Sequence, residues 1–213
     1  VKPGVETLRD GGFAQLKGKK VGLITNPSGV DNNLKSTIDI LSEAEGVDLV
    51  ALYSPEHGVR GDIYAGAKVD TYVDKKTGVK VYSLYGKNKK PSKEMLNDVD
   101  VLIYDIQDNG CRSFTFISTM GLCMEACAEN GKEFMVLDRP NPLSGLKVEG
   151  CLVEEGFFSM VSQFAIPYMY GLTPGELALM LNDGMLKDGK KAKLTVVPMT
   201  GWHRYMTFDQ TGM

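Results

Sequence analysis

The sequence predicts an α/β fold: a mostly parallel sheet with helices on both faces. Two observations predict it. Short, nearly continuous apolar runs alternate along the chain with longer stretches of helical periodicity. Strands covered on both faces read as such unbroken runs, whereas half-exposed strands alternate apolar and polar residues. The runs also end in polar residues stiffened by Pro or Gly, the composition expected of loops at the carboxyl edge of a parallel sheet.

Taken in order, KVGLIT (20–25) reads as the first strand. LKSTIDILSEAEG (34–46) reads as a helix closed by Gly46, VDLVALYS (47–54) as a second strand, and VKVYSLYG (79–86) as a third, weaker one. SKEMLND (92–98) reads as a short helix with Ser92 at its N-cap, and DVLIYDI (100–106) as a strong strand. In SFTFISTMGLCMEACAENG (113–131) Phe116, Met120, Cys123 and Cys127 fall on one helical stripe, and Gly131 stops the helix. EFMVLD (133–138) is the next strand, after which the chain becomes rich in Gly, Pro and Met. TPGELALMLNDGM (173–185) is a helix with Thr173 at the N-cap, Pro174 at the first helical position and Glu176 completing a capping box. AKLTVVPM (192–199) is the last strand.

Composition narrows the function. A chain of 213 residues suits one domain, or one domain with part of another, and can bury a sizeable core. A net charge of −3 gives no footprint for a nucleic-acid partner, and Lys87, Lys89 and Lys90 read as a solvated loop. No run approaches the length of a membrane span. The chain opens with Val, as a processed or trimmed chain does. Of the four cysteines, Cys123 and Cys127 sit four apart on a helix, a spacing that suits packing better than a disulfide. The two histidines, His57 and His203, lie far apart, so no metal site is expected. The sequence lacks a Gly-x-Gly-x-x-Gly fingerprint, a Walker lysine and a Gly-x-Ser-x-Gly elbow, and no cofactor is expected.

In an open parallel sheet, sites form outside the carboxyl ends of the strands. Four strand ends carry the candidates. The first is followed by TNPSGV with Asn26, and the second by SPEHGVRG with Glu56, His57 and Arg60. Pro55 and the glycines at 58 and 61 make the second loop a tight turn that aims Glu56, and a solvated turn is the competing reading. YDIQDNGCRSFTF places Asp105, Gln107, Asp108 and Arg112 together, with Ser113 set to cap the following helix. Acids, amides, a cation and a helix N-terminus can bind a sugar hydroxyl, an amide or a carboxylate, while simple pairing of Asp108 with Arg112 is the alternative. LDRPNPLSG presents Asp138, Arg139 and Asn141 on a proline-locked backbone, or is a rigid connector. Tyr168 and Tyr170 precede the helix at 173 and are placed to reach the cleft rim; Trp202 reads as cover for the core rather than a sugar platform.

SPEHGVRG, YDIQDNGCRSFTFISTM, VLDRPNPLSG, GLTPGELA and GWHRYM occur in that order, and together the chain resembles the exo-β-N-acetylmuramidase family from VGLITNPSGV to TFDQTGM. The resemblance implies an exported bacterial glycoside hydrolase that removes terminal β-1,4-linked N-acetylmuramic acid from the non-reducing ends of peptidoglycan fragments. It implies a Rossmann-like catalytic domain over 1–213, with 192–213 leading toward a smaller C-terminal domain that this chain does not contain. Glu56 is then the catalytic acid/base, and Asp105 or Asp108 the second carboxylate of a two-carboxylate mechanism. The substrate's own N-acetyl group is the alternative nucleophile. Gln107, Arg112, Asp138, Arg139 and Asn141 line the pocket, with Asn26, His57, Arg60 and Tyr170 as further substrate-binding candidates. Arg112 or Arg139 would receive the lactyl carboxylate. Many members of that family carry His where this chain has Tyr170, which departs from the pattern. The implied partner is a peptidoglycan-derived sugar, with no cofactor or metal, and the implied location is extracytoplasmic: periplasmic or secreted, lipid-anchored before processing. A non-catalytic cell-wall sugar-binding domain and a nucleotide- or phosphate-dependent enzyme are the competing functions.

Overall fold

The computed structural model describes residues 1–55, 58–61, 71–86 and 88–213. Among these, seven strands form one sheet: β1 (Lys20–Thr25), β2 (Asp48–Ser54), β3 (Tyr72–Val73), β4 (Lys80–Ser83), β5 (Val101–Asp105), β6 (Glu133–Leu137) and β7 (Lys193–Val197). Their spatial order is β3-β4-β2-β1-β5-β6-β7, and each described pairing is parallel except that of β3 with β4. The α-helices are α1 (Gly4–Asp10), α2 (Thr37–Glu43), α3 (Phe116–Asn130) and α4 (Pro174–Asn182).

The pleat sends successive strand residues to opposite faces, and here both faces are covered. Val101 and Ile103 of β5, with Met135 and Leu137 of β6, pack with Val5 and Leu8 of α1 and Ile38 and Leu41 of α2. Leu102 and Tyr104, with Phe134 and Val136, pack instead with Met120, Cys123 and Cys127 of α3 and Leu177 and Leu181 of α4. This double burial is why the strands read as continuous apolar runs, and it is the Rossmann-like architecture the sequence predicts.

Several boundaries differ for local reasons. SKEMLND forms only turns: Leu96 N–H reaches the Ser92 carbonyl (3.2 Å) and Met95 N–H the Ser92 hydroxyl (3.3 Å), and no helix propagates from that single turn. The second helix is shorter than expected. The Ser36 hydroxyl caps it by accepting from Ile38 N–H, and Ala44 turns extended before Gly46 is reached. Helix α3 starts at Phe116, and Ser113, expected as its cap, instead bonds the Tyr168 hydroxyl. Helix α4 carries the expected capping box and N-terminal Pro. Two elements carry too few residues to show a period: α1, and β3 at the antiparallel edge. All four cysteines are free, and burial pushes the Cys127 thiol up to about 12.

Phe134 is fully buried on the α3 face. Phe134→Ala is expected to lower unfolding free energy by about 3–5 kcal/mol, read as a lower urea midpoint at unchanged slope.

Candidate active site

β1 lies between β2 and β5, so the chain leaves it to one side and returns on the other. The crevice outside the carboxyl ends at such a switch point is where open α/β sheets bind ligands. The loops after β1, β2, β5 and β6 meet along this edge.

Glu56 and His57 lie outside the described residues. The described residues that follow them are well anchored. Gly58 and Gly61 take the positive φ (82° and 75°) that the tight turn requires. Arg60 bonds Asp74 through Nε (2.6 Å) and Nη2 (2.9 Å), and Asp39 of α2 through Nη2 (3.0 Å). The Arg60 guanidinium holds the Asp74 carboxyl down to about 2. Arg60 thus ties the turn to the β3 edge and to α2, and its donors point into the protein.

The α2 face of the edge holds a closed ion pair. Arg139 Nε meets Asp105 Oδ1 at 2.5 Å and Arg139 Nη2 meets Oδ2 at 3.0 Å, with both side chains essentially fully buried. The Thr37 hydroxyl gives Oδ2 a further bond (2.5 Å), and Arg139 Nη2 also donates to the Val30 carbonyl (2.9 Å). Both Asp105 oxygens are committed within the protein, so its carboxylate is placed to hold loops together rather than to meet substrate. Beside it lies a cavity of about 330 Å³ lined in part by Ser28, Leu34, Gln107, Arg139 and Phe208.

The α3 face holds a second carboxyl in another environment. Asp108 is 2% exposed. Its Oδ2 accepts from Gly110 N–H (2.8 Å) and from the Tyr170 hydroxyl, while Oδ1 is buried without a hydrogen-bond partner. Burial pushes this carboxyl up to about 6, although the Gly110 and Asn109 N–H groups pull it back down. Tyr170, expected at the rim, is buried against Asp108, whereas Tyr168 is 43% exposed. Asp108 and Arg112 do not pair: Arg112 Nη1 donates to the carbonyls of Cys151 (2.7 Å) and Ile166 (2.5 Å). Arg139 thus spends its Nε–Nη2 fork on Asp105, whereas Arg112 gives one nitrogen to two carbonyls and keeps its Nε buried without a hydrogen-bond partner among the described residues.

The remaining candidates brace the loops. Asn26 Oδ1 accepts from Ser28 N–H and hydroxyl (2.9 and 2.5 Å), and the Ser28 hydroxyl accepts from Gln107 N–H (3.0 Å). Gln107 Nε2 donates to the carbonyls of Asp108 and Pro140 (both 2.9 Å). Asn141 bonds Leu143 N–H and the Leu172 carbonyl, and its Oδ1 lies where a Cβ on Gly110 would come within 2.5 Å. Asp138 binds the start of α4 through Gly175 N–H (2.7 Å) and the Thr173 hydroxyl (2.9 Å). Burial pushes Asp138 up to about 6, against the pull of those donors. Sequence reading missed Thr37, Ser28 and Arg204, which bonds the carbonyls of Gly145 and Gly171 and the Glu176 carboxylate. Hydroxyl residues and a surface arginine carry no pattern that announces such a role. Trp202 packs over Gly145, where a Cβ would come within 2.8 Å of its ring.

Residues 21–213 match the family described as exo-beta-N-acetylmuramidase NamZ, N-terminal. The chain is 54% identical over 211 residues to the peptidoglycan beta-N-acetylmuramidase NamZ of Bacillus subtilis, covering 99% of this chain and 50% of that protein. Two crystal structures of DUF1343 family proteins from Bacteroides fragilis superpose on it. One is 63% identical with a TM-score of 0.94, covering 100% of this chain and 53% of that one; the other is 36% identical with a TM-score of 0.85, covering 97% and 54%. The chain thus spans about half the length of the relatives it matches.

Two outcomes follow from the edge. Because the Asp108 pKa is raised on folding, the folded state binds the extra proton, and stability is lost as pH rises from about 4 through about 6. Asp108→Asn should flatten that segment of the stability–pH curve relative to the parent by on the order of 2–3 kcal/mol, measured by urea unfolding across the range. Arg139→Met leaves Asp105 buried and unpaired and should cost about 3–5 kcal/mol, while the double variant with Asp105→Asn should cost less than the sum of the two.

Proposed function

This chain belongs to the exo-β-N-acetylmuramidase NamZ family, and from that premise we propose that it hydrolyses terminal β-1,4-linked N-acetylmuramic acid from the non-reducing ends of peptidoglycan fragments. The observation that carries the reading is the similarity to the Bacillus subtilis muramidase across essentially the whole chain. An extracytoplasmic location belongs to the same proposal, because that is where the polymer lies.

Chemically, Glu56 is the proposed acid/base. It gives its proton to the glycosidic oxygen as the C1–O bond breaks, then takes one from the water that completes hydrolysis. The two other candidate carboxyls are poor nucleophiles as they stand: Asp105 is saturated by Arg139 and Thr37, and Asp108 is buried against Tyr170. Their engagement supports a substrate-assisted route. The acetamido oxygen attacks C1 and forms an oxazolinium ring, which water reopens with regeneration of the N-acetyl group.

The test is chromophore release from a β-linked N-acetylmuramic acid glycoside, with the N-acetylglucosamine analogue as control. Turnover is expected for the muramic substrate alone. Glu56→Gln should lower kcat/KM by about 10²–10⁴-fold at unchanged melting temperature, and the N-deacetylated glycoside should not be turned over. A protein that leaves the muramic substrate intact overturns the assignment.

A further inference from the structure

We propose that Tyr168 is a carbohydrate-stacking platform for the second sugar of the substrate, the one that departs as the leaving group. The proposal rests on the glycosidase reading above and adds a residue and a subsite to it.

Tyr168 is an immobilised aromatic ring that the fold does not bury. Its side chain remains 43% exposed, yet it is held from several directions. Its backbone carbonyl accepts from Arg112 N–H at 2.7 Å. Its hydroxyl lies 3.0 Å from the Ser113 hydroxyl. The Arg112 guanidinium carbon sits 5.9 Å from the ring centroid. At its root, a Cβ on Gly150 would come within 2.6 Å of the Tyr168 Cβ, so the Gly150 backbone packs directly against the base of this side chain. The neighbouring Met169 is bridged to both Glu149 and Cys111, which fixes the backbone.

An exposed tyrosine on a mobile loop would lose rotamer freedom on binding. This one has lost it already. Its hydroxyl has a partner in Ser113, and the residue still keeps 43% of its surface open to solvent. The axial C–H groups of a β-linked pyranose carry partial positive charge and suit the negative face of an aromatic ring. Large, rigid, amphipathic rings are also the residues that dominate binding surfaces.

Position assigns the subsite. Two residues on, Tyr170 reaches Asp108, so the 168–170 segment spans the β5–α3 loop with one tyrosine sealed beneath it and the other at its outer end. An exo-acting site encloses the terminal sugar and leaves the next at the mouth. A half-exposed ring on the outer side of the loop suits the second sugar rather than the first.

Hydrolysis of the disaccharide N-acetylmuramyl-β-1,4-N-acetylglucosamine by the intact protein tests this, alongside calorimetric binding of free N-acetylmuramic acid, which fills only the inner subsite. Tyr168→Ala should raise KM for the disaccharide about tenfold with kcat within about threefold, and leave binding of the monosaccharide unchanged. Tyr168→Phe and Tyr168→Trp, which keep a ring, should stay within about twofold of the parent. Three results overturn the proposal: an unchanged KM in Tyr168→Ala, an equal loss in Tyr168→Phe, or weakened monosaccharide binding in Tyr168→Ala. Melting temperatures of the variants separate loss of the platform from loss of the loop. If the parent cleaves no disaccharide, the glycosidase reading fails. Calorimetry with the disaccharide then decides the platform on its own: binding that Tyr168→Ala abolishes retains it, and no binding by the parent overturns it.

Discussion

The buried ion pair of Asp105 and Arg139 is the contact on which the carboxyl edge of the sheet depends. An arginine this deeply buried needs a full set of acceptors, because an unpaired charge in the interior costs several kcal/mol. The fold supplies acceptors from two segments, Asp105 at the end of β5 and the Val30 carbonyl in the loop after β1, while the Thr37 hydroxyl at the start of α2 donates to the carboxylate from its other side. None of these segments can move without exposing a charge to apolar surroundings. The pair therefore sets the relative positions of the loops that border the crevice, and the long-range hydrogen bond from the Thr25 hydroxyl to the Asp105 carbonyl (2.8 Å) locks β1 to β5 at the same level.

The other face of the edge meets burial by a different route. Among the described residues no cation pairs with Asp108, so desolvation favours its protonated form, and Tyr170 and Gly110 hold one oxygen in place. Asp138 repeats this at the start of α4, where N–H groups and the Thr173 hydroxyl moderate the same penalty. One carboxyl is neutralised by an arginine and two are carried by desolvation and hydrogen bonding. Each joins a strand end to the element that follows or overlies it.

This division of labour shapes the proposed chemistry. The polar residues clustered at the strand ends mostly face inward and hold loops: Arg60 to Asp74 and Asp39, Arg112 to two carbonyls, Gln107 between Ser28 and Pro140, and Asn141 against Gly110. In the proposed reaction, contact with substrate then falls to Glu56 and to the exposed Tyr168. A preorganised scaffold of this kind lets a single carboxyl group and an oriented sugar do the work.

By itself the sequence determined the architecture and the polar edge of the sheet on which the proposed site lies. Alternating apolar runs and helical stripes are imposed by double burial of a parallel sheet, so KVGLIT, VDLVALYS, DVLIYDI and EFMVLD were legible as strands and TPGELALMLNDGM as a capped helix. Pro- and Gly-framed polar residues after those strands marked the loops of the carboxyl edge, because backbone geometry leaves few other residues able to make such turns. Only the tertiary structure decided what each polar residue does there. Whether Arg139 faces solvent or Asp105, whether Asp108 meets Arg112 or Tyr170, and which of Tyr168 and Tyr170 is sealed depend on partners 34, 62 and more positions away in the chain. Local spacing carries no information about such pairs. They are fixed by the register of parallel strands and by the cost of leaving a buried charge or hydrogen-bonding group alone, and both exist only once the sheet has formed.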